Sequence, residues 1–159
     1  YKSQPTSFNA MLEHTQFSEV DPSSLRTGIM AGAACPADTM CRVMNDMHME
    51  EVTIAYGMTE TSPVSFQSAT NDPIEKRVAT VGRIQPHVEA KVIDESGAIV
   101  ATGVTGVLCT RGYLVMLGYW DMQSSDTENP IDAAGWMHTG DLGSLDHDRL
   151  LYTSPIPLD

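Results

Sequence analysis

Apolar and polar residues recur along this chain with two periods, and the change comes near residue 80. Between 8 and 17, Phe8, Met11, Leu12 and Thr15 fall at helical spacing, which predicts a helix with one face toward a core. Asp21-Pro22-Ser23-Ser24 breaks that pattern. The apolar run 27–31 predicts a short buried strand and stops at Gly32-Ala33-Ala34, where side chains almost vanish. Pro36 suits the first turn of a helix, and Asp38 suits the positive end of its dipole. Ala37, Met40, Cys41, Met44, Met47 and His48 then recur at helical spacing, so a helix is predicted over 37–48, with His48 as a core or capping residue. A second buried strand is predicted over 52–56. Helix, strand, helix, strand is the order of an α/β unit with parallel strands. The polar stretch 57–77, with Pro63 and Pro73, reads as a long loop, and long loops in compact domains tend to be functional.

Beyond Thr80 the period shortens. Val88, Ala90 and Val92 alternate with Glu89, Lys91 and Ile93, and Glu95-Ser96-Gly97 marks a turn. Further short strands are predicted over 99–100, 107–110 and 113–117, separated by glycines. This half reads as antiparallel β in the form of a small barrel. A short polar helix is predicted over 123–129, and a final pair of strands over 136–138 and 142–145. Leu150-Leu151-Tyr152 can form a strand, whereas Ser154-Pro155-Ile156-Pro157 has no periodicity. The expected organisation is an α/β part over 1–80, a β-barrel part over 81–148 and a divergent tail over 149–159.

With 159 residues the chain can bury a real core. Its net charge of −12 argues against nucleic acid or an anionic membrane as partner, since both need a basic surface. No apolar run is long enough for a transmembrane helix. Cys35, Cys41 and Cys109 are odd in number and fit neither a zinc-knuckle nor a disulfide spacing. Cys41 and Cys109 read as buried thiols in a reducing compartment. The opening residues show neither an initiator Met nor a signal pattern. The expectation is therefore a piece of a longer protein of the cytoplasm or mitochondrial matrix, with any targeting region outside this chain.

Three strings carry chemistry. In Ala55-Tyr56-Gly57-Met58-Thr59-Glu60-Thr61-Ser62-Pro63 a buried strand gives way to a loop, the place where open α/β sheets bind ligands. Gly57 allows close approach to the backbone, and Thr59 offers a hydroxyl and an N–H to an oxyanion. Glu60 offers a hard oxygen to Mg²⁺, which usually binds through one or two carboxylates plus phosphates. Tyr56 can stack on a base. In Gly135-Trp136-Met137-His138-Thr139-Gly140-Asp141 the Asp can accept hydrogen bonds from the vicinal hydroxyls of a ribose. In Gly106-Val107-Leu108-Cys109-Thr110-Arg111-Gly112 the glycines read as barrel corners and Arg111 as a structural charge. Taken singly, these are also ordinary turn and strand residues. Asp146-His147-Asp148 is read as a solvated turn, because adjacent strand residues point to opposite faces.

Together and in this order, the strings resemble the acyl-CoA synthetase branch of the adenylate-forming superfamily, most closely the medium- and long-chain fatty acyl-CoA ligases. The resemblance extends from about Leu25 to Asp146 and includes Met30-Ala31-Gly32-Ala33 and Val78-Ala79-Thr80-Val81-Gly82-Arg83. It implies part of the large N-terminal domain of an adenylate-forming enzyme, an α/β subdomain followed by a small distorted β-barrel. It also implies the family's reaction. A carboxylate attacks the α-phosphate of ATP to give an acyl-adenylate and pyrophosphate, and CoA thiol then displaces AMP. The implied ligands are ATP or AMP, Mg²⁺, a fatty acid and CoA. On matching positions, Gly32, Ala33 and Ala34 lie against adenine and the acyl tunnel, and Tyr56 stands beside adenine. Gly57 and Met58 belong to the same nucleotide-binding string. Thr59 contacts phosphate and acyl oxygens, Glu60 is the Mg²⁺ ligand and Asp141 holds the ribose hydroxyls; Thr59 and Glu60 are the catalytic candidates.

The sequence departs from the family at several points. The Gly/Ser/Thr-rich phosphate loop with its Lys is expected upstream of Tyr1, and a Gly-Arg hinge and a Lys-bearing C-terminal domain are expected beyond Arg149. Val107 stands where the family usually has Glu. The chain is therefore expected to be inactive alone, since binding without compensation of phosphate charge stabilises a transition state little. Two other readings fit the same strings: an adenylation domain of a carrier-protein system, and a short non-catalytic protein that binds nucleotide or a partner.

Overall fold

Pro5 starts the first helix earlier than the apolar stripe suggests. A proline at the first helical position loses no hydrogen bond and arrives with helical φ. The helix, α1, spans Pro5–Leu12 and buries Phe8 and Leu12 one turn apart. It ends there, and not at 17 as expected, because Thr15 and Gln16 offer no apolar side chain for another turn to bury. Phe17–Glu19 forms a separate short 3-10 turn.

The computed structural model describes residues 1–120 and 129–153, and the chain divides into two compact units. The first comprises Tyr1–Tyr56 and Gln67–Gly82, the second Gly57–Phe66 and Arg83–Asp159. The helix expected over 123–129 falls, but for Asn129, outside the described residues, as does the tail beyond Thr153. Among the described residues, no helix is long and apolar enough to cross a membrane.

The first unit is built on parallel strands. A two-residue strand, β1 (Lys2–Ser3), too short for any periodicity to reveal, pairs with β2 (Thr27–Ala31). β2 in turn pairs in parallel with β3 (Glu51–Tyr56), matching Ile29 with Thr53 and Ala31 with Ala55. Between them runs α2 (Ala37–Asp46). Its core face is Met40 and Val43, continued by Met47, and not the full predicted stripe. Ala37 and His48 are exposed, and Cys41 and Met44 only half-buried. His48 adopts a left-handed backbone (φ 56°) just past the helix end, so it is neither a core nor a helical residue. Phe8, Met30, Met40, Val43, Met49 and Val52 are fully buried in one cluster.

The loop expected over 57–77 contains structure. Phe66–Gln67 forms β4, with Phe66 fully buried, and Ile74–Ala79 forms α3 after Pro73. Arg77 on α3 is 5% exposed. It donates from Nε to the Asp72 carbonyl (2.9 Å) and from Nη1 to the Val52 carbonyl (2.8 Å), tying this helix to β3.

The second unit follows a two-residue β5 (Arg83–Ile84) with a four-stranded antiparallel sheet in the order β6 (Val88–Ile93), β7 (Gly106–Gly112), β8 (Met137–Leu145) and β9 (Leu151–Thr153). The two architectures expected from the sequence, α/β and antiparallel β, are both present. The strand expected over 113–117 is a turn, closed by Val115 N–H donating to the Gly112 carbonyl (3.1 Å). Tyr113 and Leu117 are exposed there, so their apolar character signals no burial. Ile99 makes only an isolated bridge to Ile93. The two strands expected over 136–138 and 142–145 are one continuous strand, interrupted in register and not in course.

Candidate functional site

The parallel register that matches Ala31 with Ala55 sets the carboxyl ends of β2 and β3 side by side. The first group of predicted residues follows there. Gly32, Ala33 and Ala34 leave β2 and are all exposed, and half-buried Tyr56 is the last residue of β3. Their small side chains leave backbone accessible near an aromatic ring, on the rim where sheets of this kind bind ligands.

In the second unit, Gly57, Met58, Thr59 and Glu60 share one tight turn. Thr61, fully buried, is its anchor. Met58 N–H donates to Thr61 Oγ1 (3.1 Å), and Thr61 N–H donates back to the Met58 carbonyl (3.0 Å). Thr59–Thr61 is thereby wound into a single 3-10 turn, which ends at Ser62 in a left-handed conformation (φ 54°). A Cβ on Gly57 would stand 1.7 Å from the Pro63 carbonyl oxygen, so close approach of backbone to backbone dictates the glycine. Thr59 is left exposed and Glu60 half-buried.

Glu60 is held twice by the segment that follows β7. Met116 N–H donates to its backbone carbonyl (2.9 Å), and the Tyr119 hydroxyl donates to Oε1 (2.6 Å). That hydrogen bond lowers the Glu60 pKa below the usual carboxylate range and raises that of Tyr119. The group is thus an ionised hard-oxygen donor at neutral pH. One carboxylate suits a Mg²⁺ that completes its shell with phosphates and water, and does not suit a cage made of protein alone. Among the described residues, no group of three or more His, Cys, Asp or Glu can hold a metal. The sequence reading missed Tyr119, which lies beyond the third string, between Gly118 and Trp120.

Asp141 sits at an irregularity of β8. Between Leu142 and His138 that strand takes four steps while β7, between Val107 and Cys109, takes two. The surplus is a β-bulge over Thr139, Gly140 and Asp141, and bulges re-aim side chains beside functional sites. Gly140 supplies the left-handed conformation that the bulge needs (φ 79°). Thr139 repairs the ladder, donating from Oγ1 to the Leu108 carbonyl (2.9 Å) and accepting from Asp141 N–H (3.1 Å).

Arg111, His138, Asp146 and the cysteines take structural places. Arg111 pairs through Nε and Nη2 with both carboxylate oxygens of Glu89, its partner in register, and lies 4.6 Å from the Trp136 ring centre. His138 faces Asp132 at 3.4 Å. Asp146 caps the turn before β9, accepting from Leu150 N–H (2.8 Å). Of the thiols, Cys35 and Cys109 are buried and Cys41 is not. The structure thus brings Gly32, Ala33, Ala34 and Tyr56 together in the first unit. It brings Gly57, Met58, Thr59 and Glu60 together in the second, where Asp141 stands on a separate strand.

The sequence profile of the AMP-binding enzyme family matches residues 2–120. The chain belongs to that family. Among curated relatives, this member of the family is 47% identical over 145 residues to a putative acyl-CoA synthetase, YngI, of Bacillus subtilis, a match covering 91% of this chain and 26% of that protein. It is 40% identical over 143 residues to the mitochondrial medium-chain acyl-CoA ligase ACSF2 of Bos taurus, covering 89% of this chain and 23% of that one. Among solved structures, the amide bond synthetase McbA of Marinactinospora thermotolerans superposes with a TM-score of 0.82 at 27% identity, over 96% of this chain and 30% of McbA. The anthranilate CoA ligase AuaEII, in complex with anthranoyl-AMP, superposes with a TM-score of 0.81 at 25% identity, over 96% of this chain and 28% of that enzyme. The chain spans about a quarter of the length of the curated relatives it matches.

Proposed function

We propose that these residues belong to an ATP-dependent fatty acid–CoA ligase and contribute its nucleotide-binding and part of its acyl-binding groups. The carboxylate oxygen of the acid attacks the α-phosphorus of ATP, the bond to pyrophosphate breaks, and an acyl-adenylate results. The thiol of CoA then attacks the acyl carbon, loses its proton and expels AMP. In this reading the small turn at Gly32, Ala33 and Ala34 admits adenine and the acyl chain, and Tyr56 lies beside the base. Gly57 and Met58 present backbone to the nucleotide, and Thr59 donates its hydroxyl to a phosphate oxygen. Glu60 holds Mg²⁺, which neutralises phosphate charge when bound. Asp141 accepts from the ribose hydroxyls. Residues 1–80 are assigned to the AMP-binding α/β subdomain, 81–148 to the barrel and 149–159 to a divergent tail. The cytoplasm or the mitochondrial matrix is the compartment this reading favours, with the mitochondrial relative as its support.

The observation that carries the proposal is the adjacency of Gly32 and Tyr56 at the carboxyl ends of two register-matched parallel strands, in a chain of the AMP-binding family. The test uses the ribose. ATP is expected to bind this chain about tenfold more tightly than 2′,3′-dideoxy-ATP, since a carboxylate accepting a hydroxyl hydrogen bond contributes about 1.5–3 kcal/mol, less at a part-exposed site. Asp141→Ala should erase that preference. A parent chain that binds both nucleotides equally, by calorimetry, would sink the ribose assignment.

A further inference from the structure

We propose that Tyr119 is a positioning residue for Glu60, fixing one carboxylate oxygen so that the other is presented to a divalent cation bound with the nucleotide phosphates. The inference rests on the nucleotide-binding reading above. Its basis is a double attachment. Met116 N–H holds the Glu60 carbonyl at 2.9 Å, and three residues on, the Tyr119 hydroxyl holds Oε1 at 2.6 Å. The second distance is that of a charge-assisted O–H···O⁻ bond, the stronger class of hydrogen bond. A glutamate on an exposed turn otherwise samples many rotamers, and ordering it would oppose metal binding. Here backbone and side chain are both fixed before any ligand arrives. Groups that orient metal-binding carboxylates in this way are part of what sets metal affinity. The turn beneath is equally constrained, by the Thr61 hydroxyl and by the lack of space at Gly57. Tyr119 is itself 45% exposed, so replacing its hydroxyl disturbs no core.

The experiment measures ATP binding to this chain as Mn²⁺ is titrated, and separately in EDTA, for the parent and for Tyr119→Phe, Glu60→Gln and Tyr113→Phe. Tyr113 is 74% exposed and serves as the control for loss of a surface hydroxyl on the same segment. Tyr119→Phe is expected to raise the half-saturating Mn²⁺ concentration about three- to tenfold, a range below that for buried supporting residues because the pair is part-exposed. Its ATP affinity in EDTA and its melting temperature should match the parent, and Tyr113→Phe should change nothing. Those two readouts separate positioning from a merely structural tie, which would lower the melting temperature and leave the metal dependence alone. An unchanged or lowered Mn²⁺ requirement in Tyr119→Phe, with Glu60→Gln impaired, overturns the positioning role while Glu60 keeps the metal. Metal dependence retained in Glu60→Gln, or absent from the parent, overturns the metal reading of Glu60 and the role of Tyr119 with it.

Discussion

Gly57→Ala tests the turn that carries Thr59 and Glu60. The added Cβ would stand 1.7 Å from the Pro63 carbonyl oxygen, 2.7 Å from its carbon and 2.9 Å from Val64 Cα. Ordinary contact begins at 3.4 Å, so the shortfall against the oxygen is about 1.7 Å. All three atoms are backbone, and no rotamer change can clear them. The Pro63 carbonyl also accepts from the Thr61 hydroxyl (3.3 Å), so moving it strains the anchor that holds Met58. Overpacking of this kind costs about 1–3 kcal/mol, and each kcal/mol lowers the melting temperature by roughly 2–4 °C in a domain of this size. The effect on ligand binding should be larger than stability accounts for. Displacing groups in a bound geometry by about 1 Å can cost on the order of a hundredfold in rate, and we expect ATP affinity to fall at least about tenfold. Scanning fluorimetry reads the first effect. Calorimetry, performed well below the melting transition, reads the second. A variant within about 1 °C of the parent and with full ATP affinity would refute the close approach itself. A destabilised variant that keeps full affinity would show that the turn is no part of the nucleotide site.

Two further outcomes follow from the first unit. Arg77→Met leaves the Val52 and Asp72 carbonyls without their charged donor and should cost about 2–4 kcal/mol in urea unfolding; a loss under about 0.5 kcal/mol would mean that the guanidinium does not hold α3 to β3. Burial pushes the Cys35 thiol from 9.0 up to about 11. A folded pKa above the unfolded one means tighter proton binding in the folded state. The contribution is therefore complete below pH 9 and lost as pH rises from 9 toward 11, by up to about 2–3 kcal/mol. Cys35→Ala should flatten the parent's stability loss across that window, and an unchanged slope would contradict it.

The parallel strands were legible because a buried strand is apolar throughout and ends where side chains shrink, as at Gly32 and Gly57. Short elements were not legible. Phe66–Gln67 and Ile74–Ala79 are each too brief for a period to rise above the surrounding Thr and Ser, yet Phe66 is fully buried. The opposite error arose at 113–117, where five consecutive apolar residues between Gly112 and Gly118 read as a short buried strand. Only Leu114 of them is buried, while Tyr113 and Leu117 face solvent in a turn, because apolar character reports propensity and burial is decided by what lies across from it. On α2, periodicity identified the helix but blurred its face. Residues 37 and 48 fit the template only at its two ends, where the helix has not begun to pack or has already stopped.

The site divides along the same line, between what local pattern encodes and what only folding brings together. Glu60 and Asp141 stand out in the sequence because each lies in a string whose glycine has a local cause: a backbone contact at Gly57, a bulge at Gly140. Tyr119 carries no such mark. Its partner lies 59 residues away, and a Tyr in an apolar run reads as packing. Every candidate group in the second unit nonetheless sits where a regular element is broken: a 3-10 turn closed by left-handed Ser62, or a strand carrying two surplus residues. Such breaks cost stability, and proteins keep them mainly where function requires a side chain or backbone group that a regular element would turn away. The unbroken strands β6 and β7 carry no candidate, and their Glu89–Arg111 pair is accounted for by each other and by Trp136. In this unit the candidate groups fall at irregularities, although left-handed His87 and Arg149 show that an irregularity alone marks no site. A substitution that relieves the strain at left-handed Ser62, such as Ser62→Gly, or one that introduces strain at Gly140, where glycine takes φ 79° freely, is therefore a sharper probe of the site than one that removes an apolar residue from the core.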